Sequence, residues 1–135
     1  MQQFKKILFL ICLLFLSCEN PVGVEANLDQ EFKLRAGERA VILGENFKIR
    51  FLSVREDSRC PIDARCFWAG NAMVILQLEK ENSERVDTVN TYLDPKFSRF
   101  SQYYIALKNL EPYRRINKEI LPNQYVATLE VTRIR

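Results

Sequence analysis

Apolar residues in this chain recur at every second position, a period that builds strands and not amphipathic helices. Phe47, Ile49 and Phe51 alternate with Lys48 and Arg50, and Tyr103, Ile105 and Leu107 form another such set. In a third, Tyr125, Ala127, Leu129 and Val131 face one way while Val126, Thr128, Glu130 and Thr132 face the other. Side chains at i and i+2 of a strand share a face, so each set predicts a half-buried strand. Ala72, Val74, Leu76 and Leu78 also share a face, but Met73 and Ile75 make the opposite face apolar too. Apolar character on both faces predicts a central strand.

Shorter runs at 31–35, 39–43 and 85–92 bring the expectation to about seven strands. Ala36-Gly37-Glu38, Gly44-Glu45-Asn46 and the polar stretch 79–84 punctuate them as turns. Helical signals are confined to two short segments, 95–100 and 114–120. The fold class expected is all-β: an antiparallel β-sandwich of immunoglobulin-like type, with a small β-barrel as the alternative. One domain spans residues 29–135, with no internal repeat and no low-complexity segment. Tyr103 and Tyr104 could form an aromatic ledge for carbohydrate or peptide, but alternation favours one in the core and one at the rim.

The N-terminus carries an address. Lys5 and Lys6 precede an unbroken apolar run from Ile7 to Leu16. Ten residues at helical rise cannot cross a ~30 Å hydrocarbon layer, so residues 1–17 read as a secretory signal peptide. The run ends in Phe15-Leu16-Ser17-Cys18, which resembles the lipobox of bacterial lipoproteins, with phenylalanine where leucine is commoner. That resemblance implies a diacylglyceryl group on Cys18, cleavage before it, and acylation of the new amino terminus. Two or more acyl chains anchor stably where one is marginal. Ordinary cleavage nearby, leaving Cys18 a free thiol, is the alternative. Residues 18–28 then comprise the lipidated cysteine and a polar tether; a dozen residues could hold the domain up to ~40 Å from the membrane. The expected location is the bacterial cell envelope, the outer membrane ahead of the inner, with the domain in the periplasm or at the cell surface. The membrane is the partner so implied.

Loss of the signal peptide removes Lys5 and Lys6, so 20 basic and 17 acidic residues become 18 against 17, a net charge of +1. A nearly neutral chain has no electrostatic footprint for nucleic acid and no funnel for an acidic substrate. The 135 residues less 17 leave 118, enough for one core that does not depend on cross-links.

Residues 57–70, DSRCPIDARCFWAG, crowd two cysteines, several charges and the only tryptophan together. With Cys12 lost and Cys18 acylated, Cys60 and Cys66 remain as a pair, and an exported pair so spaced reads as a disulfide. A zinc site would need further ligands, and the chain has no histidine. Calcium could use Glu56, Asp57 and Asp63, but Arg55, Arg59 and Arg65 alternate with them and would pair with them instead. Without histidine no Ser-His-Asp or Cys-His arrangement exists, and adjacent carboxylates on a strand diverge. No catalytic residue, metal or cofactor is therefore expected.

A recognition role is open to this loop. Closed by the disulfide, it would present Arg59, Ile62, Asp63 and Arg65 at little entropic cost. The favoured reading folds it back on the domain, with Trp68 covering the disulfide and Asp57 capping turn amides. Asp57, Arg59, Ile62, Asp63, Arg65 and Trp68 are the candidate recognition residues. Asp57, Ser58, Arg59, Cys60 and Pro61, followed by Cys66, Trp68, Ala69 and Gly70, also resemble a D-S-R-C-P…C-x-W-A-G element of small exported bacterial proteins and lipoproteins. Leu107, Leu110, Pro112 and the string YVATLEV extend the similarity over most of 31–133. The resemblance implies an exported β-rich domain and leaves its activity open. Two functions follow: a lipid-anchored, non-catalytic binding or envelope-associated module, or a protease inhibitor acting through loop 57–66.

Overall fold

The computed structural model describes residues 23–135. The expected signal peptide, the expected lipidation site Cys18 and the first part of the expected tether lie outside these residues. Nine strands follow: β1 (Val24–Ala26), β2 (Glu31–Arg35), β3 (Arg39–Ile42), β4 (Phe47–Arg55), β5 (Met73–Lys80), β6 (Ser83–Asn90), β7 (Phe97–Phe100), β8 (Tyr103–Glu111) and β9 (Val126–Arg133). They form a five-stranded sheet in the order β1-β3-β4-β5-β6 and a four-stranded sheet in the order β2-β9-β8-β7. The two sheets pack together without closing into a barrel, so the fold is the β-sandwich. Pairing is antiparallel except between β1 and β3. Immunoglobulin domains share this architecture; the uninterrupted meander β3 to β6 is a different connectivity from their ABED and CFG sheets.

Alternation determines what is buried. Phe47, Ile49 and Phe51 of β4 are fully buried, as are Val74, Leu76 and Leu78 of β5. Leu34, Tyr103, Ile105, Ala127, Leu129 and Val131 meet them from the other sheet. Burying one such Leu, Ile or Phe contributes about 1.5–3 kcal/mol, so the inner faces hold the sheets together. Tyr103 stacks on Phe47 at 4.8 Å between ring centres, and its hydroxyl donates to the Glu45 carboxylate. Tyr104 points outward with Phe97 edge-on at 5.3 Å. One tyrosine of the pair is therefore core and one is surface, as alternation requires.

Three local expectations are corrected. Residues 24–26, placed in the tether, form β1, because the buried Ala26 and part-buried Val24 sit against β3 in the register Val24–Ala40 and Ala26–Ile42. Segment 95–100, read as a helical turn, contains β7, where Ser98 and Phe100 alternate inward. Segment 114–120 is not helical: its backbone groups are taken by a neighbouring loop, and one 3-10 turn, Pro122–Gln124, follows it. The three long connections, 56–72, 91–96 and 112–125, all leave the same end of the sandwich. Short turns close the other end.

Candidate functional site

The three-loop end is built on a short ladder. As β4 ends, Glu56 adopts φ 50° and turns the chain off the sheet. Ser58 N–H and Oγ both donate to the Asn71 carbonyl, at 2.7 and 2.9 Å, and Cys60 N–H donates to the Ala69 carbonyl at 2.8 Å. The two limbs of loop 56–72 are thus zipped at their base. Gly70 closes the zip at φ +70°, and a Cβ there would lie 1.9 Å from the Ser58 carbonyl oxygen. Only glycine fits so close an approach. Beyond the ladder, Cys60 and Cys66 are joined by a disulfide, as expected from the sequence.

Arg59 is the brace between loops. Its Nε and Nη2 donate to the two oxygens of Asp57 at 2.8 and 2.7 Å. Its Nη1 reaches the Leu110 carbonyl at 2.6 Å and Nη2 the Pro112 carbonyl at 3.0 Å, tying loop 56–72 to the end of β8. The side chain is only 12% exposed. Tyr125, at the root of β9, donates its hydroxyl to Asp57 Oδ2 at 2.9 Å. Burial raises the Asp57 pKa, but the hydrogen bonds and charge of Arg59 and the Tyr125 hydroxyl outweigh it and hold the carboxyl below its ordinary value. The same burial, together with donation to Asp57, pushes Tyr125 up to about 12.

Backbone and side-chain bonds complete the lattice. Ile62 N–H donates to the Arg114 carbonyl at 2.9 Å, and Arg114 Nη1 donates back to the Arg59 carbonyl at 2.8 Å. Ile116 N–H donates to Asp63 Oδ1 at 2.8 Å. Buried Asn71 fastens the third loop: its Nδ2 donates to Asn90 Oδ1 at 2.9 Å, and its Oδ1 accepts from Tyr92 and Leu93 N–H at 3.0 and 3.2 Å.

The candidate recognition residues therefore divide. Asp57 and Arg59 turn inward, and Asp57 accepts the Arg59 backbone N–H, the capping role expected of it. Asp63 joins two loops. Ile62, Arg65 and Trp68 remain outward, and beside them Phe67 stands fully exposed at 111%. Trp68, 53% exposed, sets its ring edge against Tyr92 at 6.1 Å. Tyr113, Ile116 and Leu121 add exposed apolar area from the third loop. Between the loops runs an open cleft of about 600 Å³, floored by Ile62, Pro112, Tyr113, Ile120 and Val126. Among the described residues no three His, Cys, Asp or Glu side chains gather where a metal could be held.

Asn71, Arg114 and Tyr125 escaped the sequence reading. Asn71 had a faint signal, a lone amide between Gly70 and an apolar strand, whereas Tyr125 reads as one more alternating core residue.

Fold and site together define a β-sandwich with a cross-braced, apolar loop end. Comparison of the chain with family models, curated proteins and solved structures finds no match. Kinship suggested by FLSC and by the D-S-R-C-P…C-x-W-A-G element rests on those residues alone.

Proposed function

We propose that this is an exported protein anchored by lipid on Cys18, and that its domain is a non-catalytic binding module of the bacterial envelope. Loops 56–72, 91–96 and 112–125 form its recognition end. The observation that carries this reading is the coexistence of a tightly bonded loop backbone with Phe67, Trp68, Tyr92, Tyr113 and Ile116 left exposed on it. Large apolar side chains grouped at a surface mark interaction sites, and a pre-ordered backbone lowers the entropy lost on binding. The chain's lack of histidine, and a loop carboxylate occupied by Arg59 and Tyr125, argue against acid–base chemistry here.

Protease inhibition is less well supported. An arginine-directed inhibitory loop must offer a guanidinium free to enter the enzyme's pocket, and that of Arg59 is engaged by Asp57 and two carbonyls, leaving Arg65 as the loop's one outward arginine. Photo-cross-linking in intact cells tests the binding reading. A cross-linker at position 67 should capture a partner that one at position 102, on the opposite end, does not; equal capture from both would refute it. Fatty-acid labelling lost in Cys18→Ala tests the anchor.

A further inference from the structure

The partner of this loop end can be named by its chemistry. We infer that the exposed side chains of Phe67, Trp68, Tyr92, Tyr113 and Ile116 seat in the headgroup–acyl boundary of the bilayer that carries the anchor. This rests on the lipidation of Cys18 proposed above.

Chain length is the first support. With β1 starting at Val24, six residue steps separate it from Cys18, a reach of about 20 Å instead of the ~40 Å a longer tether would allow. The domain is thus held against the membrane. Direction is the second. β1 runs parallel to β3 and therefore antiparallel to β4, so the chain enters the sandwich from the side of the loops. Val24 is level with Ala40 and Ile49, and the six residues from Ile49 to Arg55 rise about 20 Å to the loop rim. The tether's reach and the height of that rim match.

Composition separates the two ends. The short turns opposite consist of Asp29 and Gln30, Gly44 to Asn46, Glu81 and Asn82, and Ser101 and Gln102, with Leu43 the one large exposed apolar residue beside them. That end has little to insert. The loop end offers tryptophan, tyrosine and phenylalanine, the side chains that favour the interfacial layer, where an apolar body and a polar edge are both accommodated. Its exposed cations Arg55, Arg65, Lys96, Arg115 and Lys118 exceed the exposed anions Glu56, Asp63, Asp94 and Glu119 by only one. Attraction to anionic headgroups is therefore weak, and the seating depends on the apolar side chains.

Trp68 is the chain's one tryptophan and lies in the surface concerned, so it reports directly. The lipidated mature protein is reconstituted into phosphatidylcholine vesicles, with and without phosphatidylglycerol, whose acyl chains are brominated near the headgroup. The expected result is quenching of Trp68 that is equal in both compositions and insensitive to salt. Phe67→Asp should abolish the quenching while leaving the melting temperature unchanged, since Phe67 packs against nothing it would unseat. Fatty-acid labelling of the same preparation separates the two proposals. Labelled protein with unquenched Trp68 overturns the seating and leaves the anchor standing; unlabelled protein overturns the anchor and the seating with it. Quenching that persists in Phe67→Asp, or that requires phosphatidylglycerol, also overturns the inference. An unquenched Trp68 with position 67 cross-linked to a protein would put a protein in the bilayer's place.

Discussion

Tyr125 and Asp57, 68 positions apart in sequence, meet at 2.9 Å through the tyrosine hydroxyl. Arg59 grips the same carboxylate from its other side, so one acidic group joins the root of β9 to the loop after β4 and, through Arg59, to the end of β8. The loop end is held from beneath by this polar cluster as much as by the disulfide.

Arg59→Ala should be among the most damaging single substitutions. It strands Asp57 in a partly buried site and leaves the Leu110 and Pro112 carbonyls without this donor, a loss of about 3 kcal/mol or more. Arg59→Lys should rescue little, because an ammonium cannot fork across two carboxylate oxygens and two carbonyls. Urea unfolding of both variants measures this; a lysine variant as stable as the parent would contradict the brace.

The pH dependence has two limbs with opposite signs. Asp57 is held below its unfolded value of about 3.9, so its contribution is present above that pH and is lost as pH falls through the lower folded value. Tyr125 is raised to about 12, so its contribution is complete below its unfolded value of about 10 and is lost as pH rises from there to about 12. Subtracting the stability profile of Tyr125→Phe from that of the parent should isolate the alkaline limb. The same variant should cost about 1 kcal/mol at neutral pH for its hydrogen bond and make the acid limb shallower.

Replacing both Cys60 and Cys66 by serine should lower stability by about 2 kcal/mol, the value for closing so small a loop. For a domain of this size that corresponds to a fall in Tm of roughly 10 °C. Phe67→Ser provides the contrast: a fully exposed side chain should change stability by no more than about 0.5 kcal/mol. Differential scanning calorimetry on the two variants distinguishes the loop's staple from its presented surface.

Gly70→Ala should disrupt the base of the loop. The added methyl meets the Ser58 carbonyl, a backbone atom that cannot swing aside, and the residue must also hold φ +70°. A loss well above 1 kcal/mol is expected, with altered Trp68 fluorescence as the ladder at 58–60 and 69–71 parts. Unchanged fluorescence and Tm would show that the ladder is not what positions Trp68.

Strands were legible where inward and outward faces differ in polarity. The alternation of Phe47 to Phe51 and of Tyr125 to Val131 predicts β4 and β9, and the doubly apolar run at 72–78 predicts the central place of β5. β1 escaped notice because three residues are too few to show a period. β7 was missed because its inward pair includes Ser98, a hydroxyl where an apolar side chain would signal burial. At the loop end the disulfide is legible from cysteine arithmetic, and so is the pairing of Arg59 with a neighbouring carboxylate, whereas its reach to the Leu110 and Pro112 carbonyls is not. Nothing local says that an arginine will find carbonyls 51 and 53 positions away. Long-range partners of polar side chains are set by which loops the topology brings to one end, and the strand order is not written in periodicity.

The parallel pairing of β1 with β3 also has a mechanical side. If Cys18 carries the proposed lipid, tension on that anchor would reach the domain at Gly23. Tension arriving from the loop side acts along the axis of β1, so its pairings with Ala40, Val41 and Ile42 resist together in shear. Had the chain entered from the opposite end, or at right angles to the strand, those pairings would open one after another like a zipper. The short edge strand would then spread load from the proposed anchor over three pairings at once, in place of a single residue.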